Sequence, residues 1–420
     1  MTCELTLMIV FLLFMVRRKN REIINPLNIF LVFWMVIIFL YSIRLYELND
    51  VSNNTWLIIT LGIISYYIGY NIFIFNYKRK KVIFKDEEII NIKILTILAL
   101  IAIVVILPVA KIQFINVMQG NTFGDNKHLL MNNEVSLGVG YIYIAKPLRI
   151  VLSLILAIMI SSKKVNKTFC IAVFLLMLID FMCTGSKVIF FTFGIHILFM
   201  IMLKNNLDIK KIIFKNSKKI LIGISLIVGI IYYMSINSNK SVFEKLYYYI
   251  VGCIPFLDYS LSNIDFKYSR LTFGFVTLNG LLRIPFTMLN MLGIDYYPNL
   301  LLTADEYLVE LEKFIYLNDN TIFNAFSTIF FNLYADGRYF GVMLGMFSFG
   351  MISSILYKKL KSKSSNYYYL LYLFIVNMII NSQAKSLLTN VAYGMSILYI
   401  ITIIKIILNK KIIIGKYYER

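Results

Sequence analysis

The sequence predicts an all-α polytopic membrane protein with about eleven transmembrane helices and one large structured extracytoplasmic loop. Three observations carry that expectation. Of 420 residues, 59% are hydrophobic and 15% are charged, with a mean hydropathy of +0.75, which is more apolar surface than a water-soluble fold can hide. Apolar stretches recur at about the ~20 residues needed to cross a ~30 Å hydrocarbon core at 1.5 Å per residue. The 42 Lys and Arg outnumber the 22 acids, for a net charge of +20, and they gather between alternate stretches in the positive-inside pattern. The same composition excludes disordered and collagen-like chains, and four cysteines exclude a disulfide scaffold. In a soluble protein a charge of +20 would point to nucleic acid. Here the basic residues sit in loops between spans, and no nucleic-acid partner is expected.

In chain order the spans fall near residues 2–16, 27–45, 55–76, 93–117, 139–160, 168–184, 188–203, 220–236, 338–357, 367–383 and 386–408. Each is expected to be helical, because an unpaired backbone group in lipid costs several kcal/mol. The first stretch reads as a retained helix rather than a signal peptide, since Arg17, Arg18, Lys19 and Arg21 follow the apolar run instead of preceding it. Further basic clusters lie at Lys78–Lys81, at Lys163, Lys164 and Lys167, from Lys204 to Lys219, at Lys358–Lys363 and in the tail. Their alternation puts the N-terminus outside and the C-terminus in the cytoplasm.

Two outer connections are long: Gln119–Gly138 and, within the single membrane domain of 1–420, the loop 237–337. A structureless loop of the latter length is improbable. Thr303 and Glu306 have capping-box spacing, and Leu308, Leu311 and Ile315 follow at helical spacing, so an amphipathic helix is expected from Thr303 to Ile315. Tyr247–Tyr259, interrupted by Gly252 and Pro255, reads as re-entrant or interfacial, and Asn324–Tyr334 as a segment half-entering the membrane. No internal repeat is evident, which weighs against an inverted-repeat transporter.

No nucleotide-binding, zinc-protease or serine-hydrolase motif is present. His128 and His196 stand apart, and Cys3, Cys170, Cys183 and Cys253 lack paired spacing, so neither a metal site nor a cofactor is expected. The informative residues are cations placed where the positive-inside rule disfavours them: Lys146, Arg149, Lys187 in Thr184-Gly185-Ser186-Lys187, Arg270, Arg283, Arg338 and Lys385. Each either snorkels to lipid phosphate or holds an anionic ligand, for which Arg offers a bidentate fork. Loop 237–337 carries ten acids against six bases, so binding there requires a local cluster. Three carboxylates complete the set. Asp180 lies inside an apolar span, where a charge is either functional or ion-paired. Asp258 and Asp336 sit where either can serve as a base for a hydroxyl nucleophile.

Several local sequences carry a resemblance: Asn25-Pro26 leading to Phe33-Trp34, Tyr249 through Asp258, Leu271-Thr272-Phe273-Gly274-Phe275, Asn324-Ala325-Phe326-Ser327-Thr328, and Tyr334 through Gly341. Together with the large outer loop in the C-terminal half, the chain resembles the bacterial Wzy-type oligosaccharide repeat-unit polymerases of O-antigen and capsule over nearly its whole length. It departs from that family at Lys187, where Arg is frequent, and at Asp336-Gly337-Arg338, where Asp-Phe-Gly is common. The resemblance implies a membrane glycosyltransferase on the outer face of the bacterial cytoplasmic membrane. The growing chain on undecaprenyl diphosphate is the donor, a lipid-linked repeat is the acceptor, and a flippase and a chain-length regulator are family partners. On that basis the diphosphate is expected on Arg149, Lys187, Arg270 and Arg338, with Arg283 in reserve, and the base is expected to be Asp336 ahead of Asp258. An O-antigen ligase is the nearest alternative, but such enzymes resemble each other in using a His of the large outer loop, and 237–337 contains none. A lipid-linked oligosaccharide flippase is the other.

Overall fold

The computed structural model describes residues 2–19, 24–74, 91–120, 138–162, 165–186, 188–204, 242–267, 270–311, 315–318, 321–323, 327–363 and 365–409. Among these the chain is helical apart from one short β-hairpin. In order the helices are α1 (Thr2–Lys19), α2 (Pro26–Ile43), α3 (Asn53–Ile74), α4 (Ile92–Met118), α5 (Gly138–Ser161), α6 (Lys167–Thr184) and α7 (Val188–Lys204). After them come α8 (Val242–Val251), α9 (Cys253–Lys267), α10 (Asn279–Met291), α11 (Asn299–Glu310), the hairpin β1 (Ile315–Asn318) and β2 (Thr321–Phe323), α12 (Thr328–Lys363), α13 (Asn366–Ile380) and α14 (Val391–Leu408).

Among the described residues seven helices are long and apolar enough to cross a membrane: α2, α3, α4, α5, α6, α12 and α14. The expected spans at 2–16, 188–203 and 367–383 coincide with the shorter helices α1, α7 and α13. The span expected at 220–236 lies outside the described residues.

Local chemistry sets several helix ends. Asn25 caps α2, its Oδ1 accepting from the Asn28 N–H at 2.8 Å, with Pro26 in the first turn, where its missing N–H loses nothing. Asn166 caps α6 by accepting from the Phe169 N–H at 3.1 Å, and Gly185 closes it at φ +61°, its N–H donating to the Phe181 carbonyl at 2.8 Å.

Loop 237–337 carries structure of its own. The Tyr249–Asp258 stretch forms two helices meeting at Gly252, with Pro255 in the first turn of α9. The amphipathic helix begins earlier than its capping-box spacing suggests, at Asn299 after Pro298, and it ends at Glu310, so Ile315 belongs to β1 instead. Pro298, extended at φ −61° and ψ 140°, stands immediately before the helix, and its fixed φ suits a helix start. The hairpin is held by the α2–α3 turn: the Asn49 N–H donates to the Leu317 carbonyl at 2.8 Å, and Asn318 Nδ2 donates to the Glu47 carbonyl at 2.8 Å.

The buried apolar side chains form two clusters. One joins α1, α2, α3, α8, α9, α11, β1 and the first two-thirds of α12, with Ile375 and Ile379 of α13; the other joins α4 to α7, α14, the rest of α13 and Tyr357 and Leu360 of α12. Ile29 and Met378 pack against both.

Helix α12 is two segments joined at a break. Gly337 is extended (φ −160°) and Arg338 takes a left-handed φ of +52°. The Leu333 carbonyl and side chain lie against Gly341 and Gly345, whereas eight residues of continuous helix would hold such positions about 12 Å apart. The nine residues 328–336 therefore fold back on the segment after the break, and every one of them is buried. Gly337, Gly341 and Gly345 recur at intervals of four, a spacing of small residues that permits close helix contact.

The longer segment of α12 runs parallel to α3. Tyr339 meets Asn54 near the start of both, while Gly69 lies against the Phe347 backbone and Gly350 against the Tyr66 and Tyr70 backbone further along.

Candidate functional site: a cation cluster beside the break in α12

The cluster starts from one proline. Pro147 lacks the N–H that would bond the Tyr143 carbonyl in a regular helix, and its ring clashes with that carbonyl. Helix α5 responds with a π-helical stretch at Tyr141–Ala145, in which the Lys146 N–H bonds the Tyr141 carbonyl. The Tyr143 carbonyl accepts instead from Tyr399 Oη of α14 at 2.8 Å. Ser396 Oγ of α14 donates to the Pro147 carbonyl at 3.3 Å.

This shift has a consequence for side chains. In the π register Tyr141 and Lys146, five apart, come onto one face: Lys146 Nζ stands 5.9 Å from the Tyr141 ring centroid. Arg149 follows three residues later on the same face. π-turns inside helices concentrate at functional sites.

That face meets Asp180 of α6. Arg149 Nε lies 2.6 Å from Asp180 Oδ2, and Tyr141 Oη donates to Oδ1 at 2.5 Å. Asp180 is 1% exposed, Tyr141 1% and Arg149 8%. Lys146 lies in electrostatic range of Asp180, of Arg149 and of Lys385, which sits in the break between α13 and α14. Among the described residues this sets Arg149 and Lys146 beside one buried carboxylate, with Lys385 in range of Lys146; Arg149 is buried and the two lysines are half-buried. Burying like charges together is unfavourable unless an anion offsets them.

A second set of residues surrounds the α12 break. Asp336, 5% exposed, receives three hydrogen bonds: from Thr272 Oγ1 at 2.7 Å and the Val276 N–H at 2.9 Å on Oδ1, and from the Thr277 N–H at 3.0 Å on Oδ2. Its carbonyl accepts from the Phe273 N–H at 3.0 Å. The carboxylate thus clamps the turn leading into α10 to the hairpin apex. Arg338 stands over the Tyr334 ring, 5.2 Å from its centroid.

Asp258 of α9 is at the same end of α3. Its Oδ1 accepts from the Ser52 N–H at 3.0 Å, Ser52 Oγ at 2.5 Å and Thr55 Oγ1 at 2.7 Å, so it caps α3 from a neighbouring helix. Tyr339 Oη donates to Asn54 Oδ1 at 2.5 Å in that same turn.

The break 381–390 bridges the two sets. The Ser386 N–H donates to Asn332 Oδ1 at 2.8 Å and Ser386 Oγ to the Thr277 carbonyl at 3.1 Å. The Thr328 N–H donates to the Ala384 carbonyl at 3.1 Å, and Trp34 Nε1 donates to Ser382 Oγ at 3.1 Å. Lys385, next to Ser386, is the residue that reaches the cation cluster.

The expected site residues thus separate. Arg149 has a buried carboxylate in contact and Lys146 in electrostatic range. Arg338, Asp336 and Asp258 gather at the start of α3. Arg283 is paired with Asp305, which also accepts from Asn279 Nδ2 at 3.0 Å. Arg270 is exposed, and its carbonyl accepts from Tyr307 Oη at 2.9 Å. Lys187 lies outside the described residues. Lys146, Lys385 and Tyr141 join the site although the clamp expected from sequence omits them; the pointer was Pro147, six residues after Tyr141, the first of several polar groups in an apolar span. Among the described residues no group of His, Cys, Asp or Glu is suited to a metal ion. Burial pushes the Cys253 thiol up to about 12, so it is no nucleophile at neutral pH.

No family model matches this chain, and neither a curated protein nor a solved structure does. The fold and the two side-chain clusters define a helical membrane protein with polar chemistry inside its bundle.

Proposed function

We propose that this protein is a membrane glycosyltransferase that polymerises undecaprenyl-diphosphate-linked repeat units on the outer face of the bacterial cytoplasmic membrane. The observation that carries this reading is the grouping of Arg149 and Lys146 at Asp180, with Lys385 in electrostatic range of Lys146, a cationic site for a diphosphate leaving group. Such a group needs charge stabilisation as its bond to the anomeric carbon breaks, and fixed cations in a water-poor site provide it. The motifs shared with the Wzy-type polymerases support the same reading, since Leu271–Phe275 and Tyr334–Gly341 meet around Asp336.

Orientation follows from charge. Helix α3 and the longer part of α12 run parallel, and the clusters Lys78–Lys81 and Lys358–Lys363 follow at or near their C-terminal ends. The positive-inside rule puts those ends in the cytoplasm and the Asp258 and Arg338 end outside.

Asp336 is committed to three donors on two oxygens, and in this reading it positions the α10 turn. Asp258 receives all three of its donors on Oδ1. Its second oxygen serves as the acceptor for the attacking hydroxyl's proton, which reverses the preference drawn from sequence. Arg338 and Arg270 then approach the second, acceptor lipid.

Removing the gene and analysing lipid-linked sugars tests the class. Single repeats left on lipid on the outer face support a polymerase. Full-length polymer retained on its carrier indicates a ligase, and repeats trapped facing inward indicate a flippase.

A further inference from the structure

The cation cluster already contains an anion of its own. Asp180 sits at Arg149 Nε, the side of the guanidinium, and its Oδ1 is held by Tyr141 Oη. A second acceptor on this face meets the Arg149 guanidinium together with the Lys146 ammonium, which stands over the Tyr141 ring. Any diphosphate bound there lies within a few ångströms of a fixed negative charge.

Two effects of Asp180 oppose each other. It orients Arg149, which favours binding, and it repels the incoming anion, which disfavours it. At a separation of roughly 7 Å and an effective dielectric of about 20, the repulsion outweighs the loss of one oriented hydrogen-bond donor. We propose that Asp180 is a resident counter-anion: it stabilises the cations when the site is empty and weakens the hold on bound diphosphate, so that the leaving group departs and the site turns over. Tyr141 tunes the effect by drawing part of the carboxylate's charge into its own hydrogen bond. This inference rests on the reading of the cluster as a diphosphate site and assigns that site's turnover control.

The test is calorimetric titration of inorganic pyrophosphate into the full-length protein in nanodiscs, together with steady-state chain extension. Asp180→Asn keeps an acceptor for Tyr141 and removes the charge. It is expected to bind pyrophosphate about tenfold more tightly, with KM for the lipid-linked donor and kcat both lowered. Tyr141→Phe returns the full carboxylate charge to the site and is expected to weaken pyrophosphate binding severalfold. A residue that merely supports the fold gives neither opposite signs nor a joint fall of KM and kcat. Unchanged or weaker binding in folded Asp180→Asn overturns the counter-anion role. If that variant does not fold, unchanged or tighter binding in Tyr141→Phe overturns it. Wild-type protein that binds no pyrophosphate removes the diphosphate site itself, whereas wild-type binding with Asp180→Asn unaltered removes only the role of Asp180.

Discussion

Removing one charge from the Arg149–Asp180 pair should be far more damaging than removing both. The two charge centres are about 4 Å apart, which at an effective dielectric near 20 gives an attraction of about 4 kcal/mol. Desolvation of two buried ions takes several kcal/mol each and cancels most of that gain. Arg149→Met strips Asp180, 1% exposed, of the one cation in contact with it and leaves only Lys146 in electrostatic range, and the expected loss is about 3–5 kcal/mol. Arg149→Met combined with Asp180→Asn removes both charges and keeps an acceptor for the buried Tyr141 hydroxyl, so its stability should return to within about 1–2 kcal/mol of wild type. Thermal unfolding followed by intrinsic fluorescence in one detergent ranks the three proteins. The double variant should unfold near wild type and well above Arg149→Met, yet extend no chains. A single variant as stable as wild type, or a double variant no better than the single, would refute the claim that this pair is buried and mutually compensating.

Three other expectations follow from named contacts. Gly350→Leu drives a side chain into the Tyr66 and Tyr70 backbone, so α3 and α12 must separate; overpacking of this kind costs about 1–3 kcal/mol or more, read as a lowered unfolding temperature, while Ser362→Ala on the exposed end of α12 should leave it unchanged. Asp336→Ala strands the Val276 and Thr277 N–H groups, and limited proteolysis should cut residues 271–278 faster than in wild type, at about 1–3 kcal/mol of lost stability per unsatisfied buried group. Asp258→Asn retains an acceptor for Ser52 and Thr55 and should unfold within about 1 kcal/mol of wild type, yet lose about 10²–10⁴-fold in chain extension as a base is removed; full activity would exclude Asp258 as that base.

The helices were legible because their signal is long and redundant: ten of the eleven expected stretches lie on described helices. The start of α11 was misplaced because Thr303 and Glu306 offered a capping pattern while Pro298, outside the periodic run, fixed the turn. The hairpin in α12 was only half visible. Apolar content placed 324–334 in the membrane, but the reversal depends on Arg338 adopting a positive φ and on Leu333 meeting Gly341 and Gly345, contacts that no hydropathy profile contains.

The site divides the same way. Residue type alone pointed to Arg149, Arg338, Asp180, Asp258 and Asp336. Their grouping was invisible, because Lys385 reaches Lys146 only through a break in the α13–α14 connection, more than two hundred residues along the chain. The structural duties of Asp336 and Asp258 were hidden for a related reason. Each is bonded to a turn distant in sequence, so a carboxylate that looks idle in the chain is already engaged in the fold.

Reconstitution tests the central claim most directly. Wild-type protein in proteoliposomes with a purified undecaprenyl-diphosphate-linked repeat should generate a ladder of oligomers, and Lys146→Met with Lys385→Met, which keeps Arg149 paired to Asp180, should insert and fold but generate none. Absence of a ladder from wild type, or a ladder of normal length from the double variant, contradicts the account.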